Sequence, residues 1–425
     1  MQLEVRPSKL KGRVEIPASK SHTIRALVLA SLAEGESKII NPLLSEDAIS
    51  CLLVCKAFGA TIVMGKDWLV KGKSGNPDVP EDIINVGNSG TTARLTMGMA
   101  SLGSGYAVFT GDAQTRQRPM QPLLDALNNL GATAFSTRGN GKLPAVIRGR
   151  IKGGGTDVDG LTSQYLSSLL ISSPLAERDT IIRVHNLHEK PYVEMTLRWL
   201  KKLGIQYENK DLEQFHIEGN QRYRCFEERI PADFSSATFF LCAAVITHCE
   251  LDLVGLDFND SQGDKMVVPM LEEMGARYQM QGDILTISGL DLKGAELDLN
   301  ATPDALPALA VVGTQAEGET ILRNVPQARI KETDRIAVMC QELTKMGADI
   351  QELPDGLVIR KSRLKGTVVD GHGDHRVVMS LAIAGLVAEG TTRVKTAEAM
   401  SITFPNFAEL MSQCGAQMEF LSDET

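Results

Sequence analysis

Asp125-Ala-Leu-Asn-Asn-Leu-Gly131-Ala-Thr-Ala134 is the stretch on which the fold turns. An apolar, helix-like segment closes on glycine, and an alanine opens the next segment. The same phrase recurs as CKAFGATI, RWLKKLGIQY, LEEMGARYQ, ELTKMGADI and MSQCGAQME, with its glycine at positions 59, 204, 275, 347 and 415. Successive spacings along the six copies are 72, 73, 71, 72 and 68 residues. Glycine just past a periodic helix marks its end, because only glycine enters the left-handed region without a Cβ penalty. The even spacing argues for repetition rather than for chance junctions of an ordinary α/β chain.

A second phrase follows five of the six glycines, its fifth residue 13 to 18 residues on: WLVKGK, AVIRGR, FHIEGN, LTISGL and LVIRKS. Each reads as a short strand leading out of a turn. The chain is therefore six copies of a mixed α/β (α+β) unit, too long to be solenoid turns. A chain of 425 residues exceeds what one core usually serves, so two domains of three units are expected. Pro231 and Asp233 in IPADFSSATFF punctuate one boundary, before what reads as a Ser-capped apolar helix. A matching crossing near Ile16–Pro17 would leave the opening strand in the later domain. The expected lobes are residues 16–231, and residues 1–15 with 232–425.

Forty-four basic against 53 acidic residues give a net charge of -9, which argues against nucleic acid or an anionic membrane as partner. If the substrate is anionic, the cations must be gathered locally. Seven scattered cysteines without CxxC spacing read as reduced thiols in a cytoplasm. The opening MQLEVRPSKL has no apolar core of a leader, and no stretch approaches a membrane span.

Six constellations carry chemistry. In Pro17-Ala-Ser-Lys20-Ser21-His-Thr-Ile-Arg25, Ser21 and Thr23 are good capping types, and Ser21 and Arg25 share a helix face. A hydroxyl, an ammonium and a guanidinium at a helix N-terminus suit a phosphate or carboxylate. Gly87-Asn88-Ser-Gly90-Thr91-Thr92-Ala-Arg94 lets backbone N–H groups approach an anion, though it is neither GxGxxG nor a P-loop. Arg118-Pro119 puts proline at an expected first helical position. Thr162-Ser163-Gln164 opens a helix with Leu166, Leu169 and Leu170 on its apolar face. Thr302-Pro-Asp304 and Lys331-Glu332-Thr-Asp334-Arg335 are charged in the last third, where a solvated face is the bland alternative. Gly373-Asp374-His375-Arg376 precedes an apolar run; with His372 it hints at a metal, but no third-ligand motif accompanies it, and no metal is expected.

In this order, and with Thr403-Phe-Pro-Asn, these segments resemble the EPSP synthase family over essentially the whole chain. The resemblance implies an inside-out, two-domain barrel of six β-α-β-α-β-β units, three per domain, with the active site in the cleft between. It implies transfer of the enolpyruvyl group of phosphoenolpyruvate to the 5-hydroxyl of shikimate 3-phosphate, with neither metal nor organic cofactor. Ser21, Arg25, Thr162, Ser163, Gln164 and Lys331 resemble ligands of shikimate 3-phosphate. Lys20, Gly90, Arg118, Arg335 and Arg376 resemble the phosphoenolpyruvate side, and Asn88 a substrate-binding position. Asp304 matches the base, and Glu332 or Lys20 the proton donor. The family implies inhibition by glyphosate, with Gly90 at a position where tolerant members carry alanine. A cytoplasmic monomer is expected.

Three positions depart from the family pattern. Glu189 stands where many relatives have a phosphate-binding serine, and is expected to turn away while Lys190 contributes. Ile402 replaces a lysine of some members, and Thr162 replaces a serine while keeping the hydroxyl. The sister transferase acting on UDP-N-acetylglucosamine would carry a cysteine where this chain has Ala113, and Lys-Asn where it has Lys20-Ser21. A non-catalytic, anion-binding repeat protein would not need Asp304, Glu332 and Lys20 together.

Overall fold

The computed structural model describes residues 1–421, and from them six four-stranded sheets are built, one per repeat. One repeat runs strand Ile84–Asn85, helix Gly90–Ala100, strand Tyr106–Thr110, helix Gln121–Asn129, then the strands Thr133–Ser136 and Ala145–Arg148. The first two strands are parallel, Ile84 beside Phe109, because a helix crosses between them; the last two form an antiparallel hairpin. The fourth strand inserts between the second and third, and all six sheets repeat this order. The six phrase glycines adopt φ between +76° and +103°, as helix ends of this kind require.

The chain separates into two compact units, Ala18–Ile230, and Met1–Pro17 with the residues from Pro231 onward. Each unit holds three sheets. The strand Gly12–Glu15 precedes the helix Lys20–Leu32 in sequence but pairs with Glu250–Val254. The strand Glu227–Arg229 precedes the helix Phe234–Ile246 but pairs with Glu36–Ile40. Gln2–Arg6 completes the last repeat, between Thr392–Lys395 and Gln417–Leu421. Both crossings therefore fall between a first strand and its helix.

The first helix of each repeat is buried almost all round. In one unit these are Lys20–Leu32, Gly90–Ala100 and Ser163–Ser172; in the other, Phe234–Ile246, Leu306–Gly313 and His375–Gly385. A helix apolar on every side has to be covered on every side. The second helices keep a wet face: Gln121–Asn129 buries only Leu123, Leu124, Ala126 and Leu127.

Local expectations fail at three caps. Ser19, not Ser21 or Thr23, precedes the first helix, so Lys20 and Ser21 lie in its first turn. Pro119 lies outside the helix Gln121–Asn129, whose early proline is Pro122. Asp233 rather than a serine caps Phe234–Ile246, accepting from the Ser236 amide at 3.0 Å, because a carboxylate reaches the exposed N–H groups with a full charge.

The glycine closing the hairpin phrase has a separate cause. A Cβ on Gly289 would sit 2.1 Å from the Val245 carbonyl oxygen, at the end of a buried helix. Backbone there cannot step aside. Gly289→Ala is expected to destabilise by about 1–3 kcal/mol, the usual cost of overpacking. Gly155→Ala, whose methyl would meet nothing nearer than 3.9 Å, should stay within about 0.5 kcal/mol of wild type. Urea unfolding midpoints of both variants check the contrast.

Candidate functional site

In the unit Ala18–Ile230 the sequence-predicted site residues lie in and beside the N-terminal halves of three buried helices. Arg25 is 1% exposed. Its guanidinium donates to Thr196 Oγ1 at 2.8 Å, the Tyr192 carbonyl at 3.0 Å and the Ser21 carbonyl at 3.1 Å. These acceptors are neutral. Burial pushes the Arg25 pKa down to about 10, the nearby Tyr192 and Glu189 offsetting part of that, and the group stays charged near neutrality. Lys20 Nζ lies 3.2 Å from Asp47 Oδ2.

Arg94 ties two helices and a loop together. It donates to Gln164 Oε1 at 2.7 Å and to the Pro119 carbonyl at 3.2 Å, and lies over the Tyr165 ring at 5.3 Å. Gln164 in turn donates to Thr91 Oγ1 at 3.1 Å, and the Tyr165 hydroxyl donates to the same Pro119 carbonyl at 2.6 Å. The loop so anchored presents Arg118, whose guanidinium donates to Asn88 Oδ1 at 3.3 Å. Asn88 is oriented by Asp112 and Gln114, each accepting from its amide at 2.6 Å. Gly90 leaves room for both cations, since a Cβ there would sit 2.6 Å from Arg118 Nη1 and 3.0 Å from Arg94 Nη1.

Thr162 caps the helix Ser163–Ser172. Glu189 does not turn away, contrary to the sequence expectation. Its carboxylate is 2% exposed and accepts from the Ser163 hydroxyl at 2.8 Å and the Ser163 amide at 3.3 Å. Lys190 is the residue that faces solvent. Bare N–H groups at a helix start attract any carboxylate within reach, which a substitution pattern alone does not reveal.

In the other unit the centre is Arg335, 1% exposed. Asp374 grips it with both oxygens, at 2.8 and 3.2 Å; Asp304 lies at 2.7 Å and Glu332 at 2.5 Å. Burial opposes the charge, but Asp374, Glu332 and Asp304 together outweigh it and raise the pKa above the ordinary arginine value. The second oxygen of Asp304 lies 3.1 Å from Arg376. Asp374 also caps the helix His375–Gly385, and Thr333 donates to it at 3.0 Å. Lys331 is half-buried just ahead of this cluster. Ile402 is buried in the unit's core. His372, considered as a metal ligand, instead bonds Glu342 at 2.8 Å.

The structure thus gathers Ser21 with Arg25, Asn88 with Gly90 and Arg118, and Thr162 with Ser163 in one unit. It gathers Asp304, Glu332, Arg335 and Arg376 in the other. Sequence reading quoted Arg94 and Asp374 within its motifs without giving them an orienting role, and it did not single out Asp47 or Thr196. Arg94 had a signal, as the lone charge inside an otherwise apolar helix.

The pattern of the family described as EPSP synthase (3-phosphoshikimate 1-carboxyvinyltransferase) matches residues 5–411. The chain belongs to the EPSP synthase family. A 3-phosphoshikimate 1-carboxyvinyltransferase of Acetivibrio thermocellus is 61% identical over 419 residues, covering 98% of this chain and 99% of that protein. One of Ruminiclostridium cellulolyticum is 55% identical, covering 99% and 100%. A solved EPSP synthase from Acinetobacter baumannii aligns at a TM-score of 0.83 with 28% identity, covering 98% of this chain and 99% of that one. Family membership accounts for the six repeated sheets.

Asp374→Ala removes the two-oxygen grip on a buried guanidinium and a helix cap together. A loss of about 3–5 kcal/mol is expected, the scale for breaking one side of a buried ion pair. Denaturant unfolding measures it; a loss under about 1 kcal/mol would mean that Asp304 and Glu332 hold Arg335 unaided.

Proposed function

We propose that the chain transfers the enolpyruvyl group of phosphoenolpyruvate to the 5-hydroxyl of shikimate 3-phosphate and releases phosphate. The observation that carries the reading is the cluster in which Asp304 bridges Arg335 and Arg376 with Glu332 alongside. Two anionic substrates bring two phosphates and two carboxylates together, and planar guanidinium forks suit such oxyanions.

In this reading the site residues divide by substrate. Ser21, Arg25, Thr162, Ser163, Gln164 and Lys331 hold shikimate 3-phosphate; Lys20, Asn88, Gly90, Arg118, Arg335 and Arg376 hold phosphoenolpyruvate. As placed, each oxygen of Asp304 is engaged by a guanidinium. When Arg335 and Arg376 turn to the incoming anion, Asp304 is freed to take the proton of the 5-hydroxyl. The oxygen then bonds the central carbon of phosphoenolpyruvate while its methylene gains a proton. Lys20, an ammonium held by Asp47, already carries one. Glu332 has to acquire it after leaving Arg335. The tetrahedral adduct so formed returns a proton from its methyl group and expels phosphate. The guanidiniums stabilise the developing charge, so the chemistry calls for no metal or organic cofactor. The same reading has the protein acting as a monomer in the cytoplasm, and its seven cysteines are free thiols.

Phosphate release from phosphoenolpyruvate, with shikimate 3-phosphate or UDP-N-acetylglucosamine as acceptor, tests the assignment. Release with the first acceptor alone is expected. Asp304→Ala should bind both substrates yet lose roughly 10²-fold or more in turnover, the scale for a lost proton-transfer group. Near-normal turnover would remove Asp304 from the mechanism.

Gly90→Ala places a methyl against the Arg118 guanidinium. Glyphosate, whose backbone between phosphorus and carboxylate is one atom longer, should lose more affinity than phosphoenolpyruvate, by about 1–3 kcal/mol. Inhibition constants with phosphoenolpyruvate varied decide it; equal losses for the two ligands would sink the steric argument.

A further inference from the structure

Glu189 carries a charge where the proposed substrate has one. Its carboxylate is 2% exposed and accepts from the Ser163 hydroxyl at 2.8 Å and the Ser163 amide at 3.3 Å, with the Thr162 hydroxyl at 3.5 Å. The 10-residue helix Ser163–Ser172 begins there, and its N-terminal N–H groups and dipole favour an anion. Two buried guanidiniums, Arg25 and Arg94, feel the same negative charge.

Glu189's own helix does not require this placement. The residue is the N-cap of Lys190–Lys202, yet its side chain makes no capping bond to that helix and spends itself on the neighbouring one. Its backbone is left-handed, φ +56° and ψ 40°, an uncommon state for a residue with a Cβ. The chain holds a strained turn, and the carboxylate lands on the anion site of a different helix.

We propose that Glu189 is a displaceable internal anion, which occupies the Thr162–Ser163 site in the empty protein and is expelled by the phosphate of the acceptor. This rests on the functional reading in which those two hydroxyls bind that phosphate. A carboxylate and a phosphate dianion cannot share one pair of donors, because like charges a few ångströms apart repel in a site shielded from water. The dianion, with more charge and three acceptor oxygens, wins the exchange. Glu189 therefore sets the affinity threshold of the site. It disfavours weakly charged anions and leaves a phosphoryl group of the acceptor able to enter.

The test compares wild type, Glu189→Gln and the double variant Glu189→Gln with Ser163→Ala. Inorganic phosphate is the probe, read as the rise in melting temperature with concentration, which needs no turnover. Phosphate should stabilise Glu189→Gln at concentrations roughly tenfold lower than wild type, a factor worth 1.4 kcal/mol. The double variant should lose that gain. Equal responses of wild type and Glu189→Gln would overturn the proposal, as would a gain that survives loss of the Ser163 hydroxyl. In steady state, Glu189→Gln should lower KM for shikimate 3-phosphate about tenfold, leaving KM for phosphoenolpyruvate nearly in place. A raised KM for shikimate 3-phosphate would make Glu189 a substrate ligand and sink the idea. If wild type releases no phosphate from the substrate pair while the melting shifts differ as expected, the internal anion stands and the acceptor assignment falls.

Discussion

A helix that is apolar on all sides can exist in water only if every side is covered. Each repeat contributes one such helix, and its own four-stranded sheet covers part of it. Three repeats together close the enclosure, which is why each unit holds three sheets and three buried helices. The consequence for chemistry is direct. Along Gly90–Ala100 or His375–Gly385 there is no solvent face, and the predicted site residues Gly90 and Arg376 sit in the first turns, where backbone N–H groups have no intrahelical partner. The order in which Lys20, Gly90, Ser163 and Arg376 appear in the chain is the order of those first turns.

Charge balance follows from the same enclosure. Burying a guanidinium is costly unless something compensates it, and the two units do so differently. Arg335 is surrounded by Asp374, Asp304 and Glu332 and keeps its charge firmly. Arg25 has polar neutral neighbours, and burial lowers its pKa to about 10. A cation hydrogen-bonded only to neutral groups gains more from an arriving carboxylate than one already paired. The chain carries a net charge of -9, so this gathering of cations is local and not a property of the surface at large.

The fold was legible because it is repeated. One helix-ending glycine is weak evidence; six at nearly equal spacing are not, and all six have the positive φ that such helix ends need. The site segments were legible as motifs, since Thr162, Asp334 and Asp374 do cap the helices that follow them. Caps were misplaced where two candidates stood close together, as with Ser19 against Ser21, because propensity does not fix a single residue of register. Second partners could not be read at all. Nothing at Asp374 announces Arg335, 39 residues away, and nothing at Glu189 announces Ser163, 26 residues away. The first pair depends on how two repeats pack and the second on how the two helices of one repeat pack, which local sequence does not encode.

Carboxylates in this protein therefore divide by what holds them. Asp374 is fixed twice, by the Arg335 guanidinium and by the amide of Arg376, so a ligand taking Arg335 would still leave it in place. Asp304 is gripped on one oxygen by Arg335 and on the other by Arg376, and both are groups a substrate anion would claim. In the proposed reaction, an anion that draws off those guanidiniums would leave Asp304 with its oxygens released from them. Binding and activation of the proposed base would then be one event. A carboxylate held by more permanent donors could not serve in that role, and one with no partner would not tolerate its partly buried position.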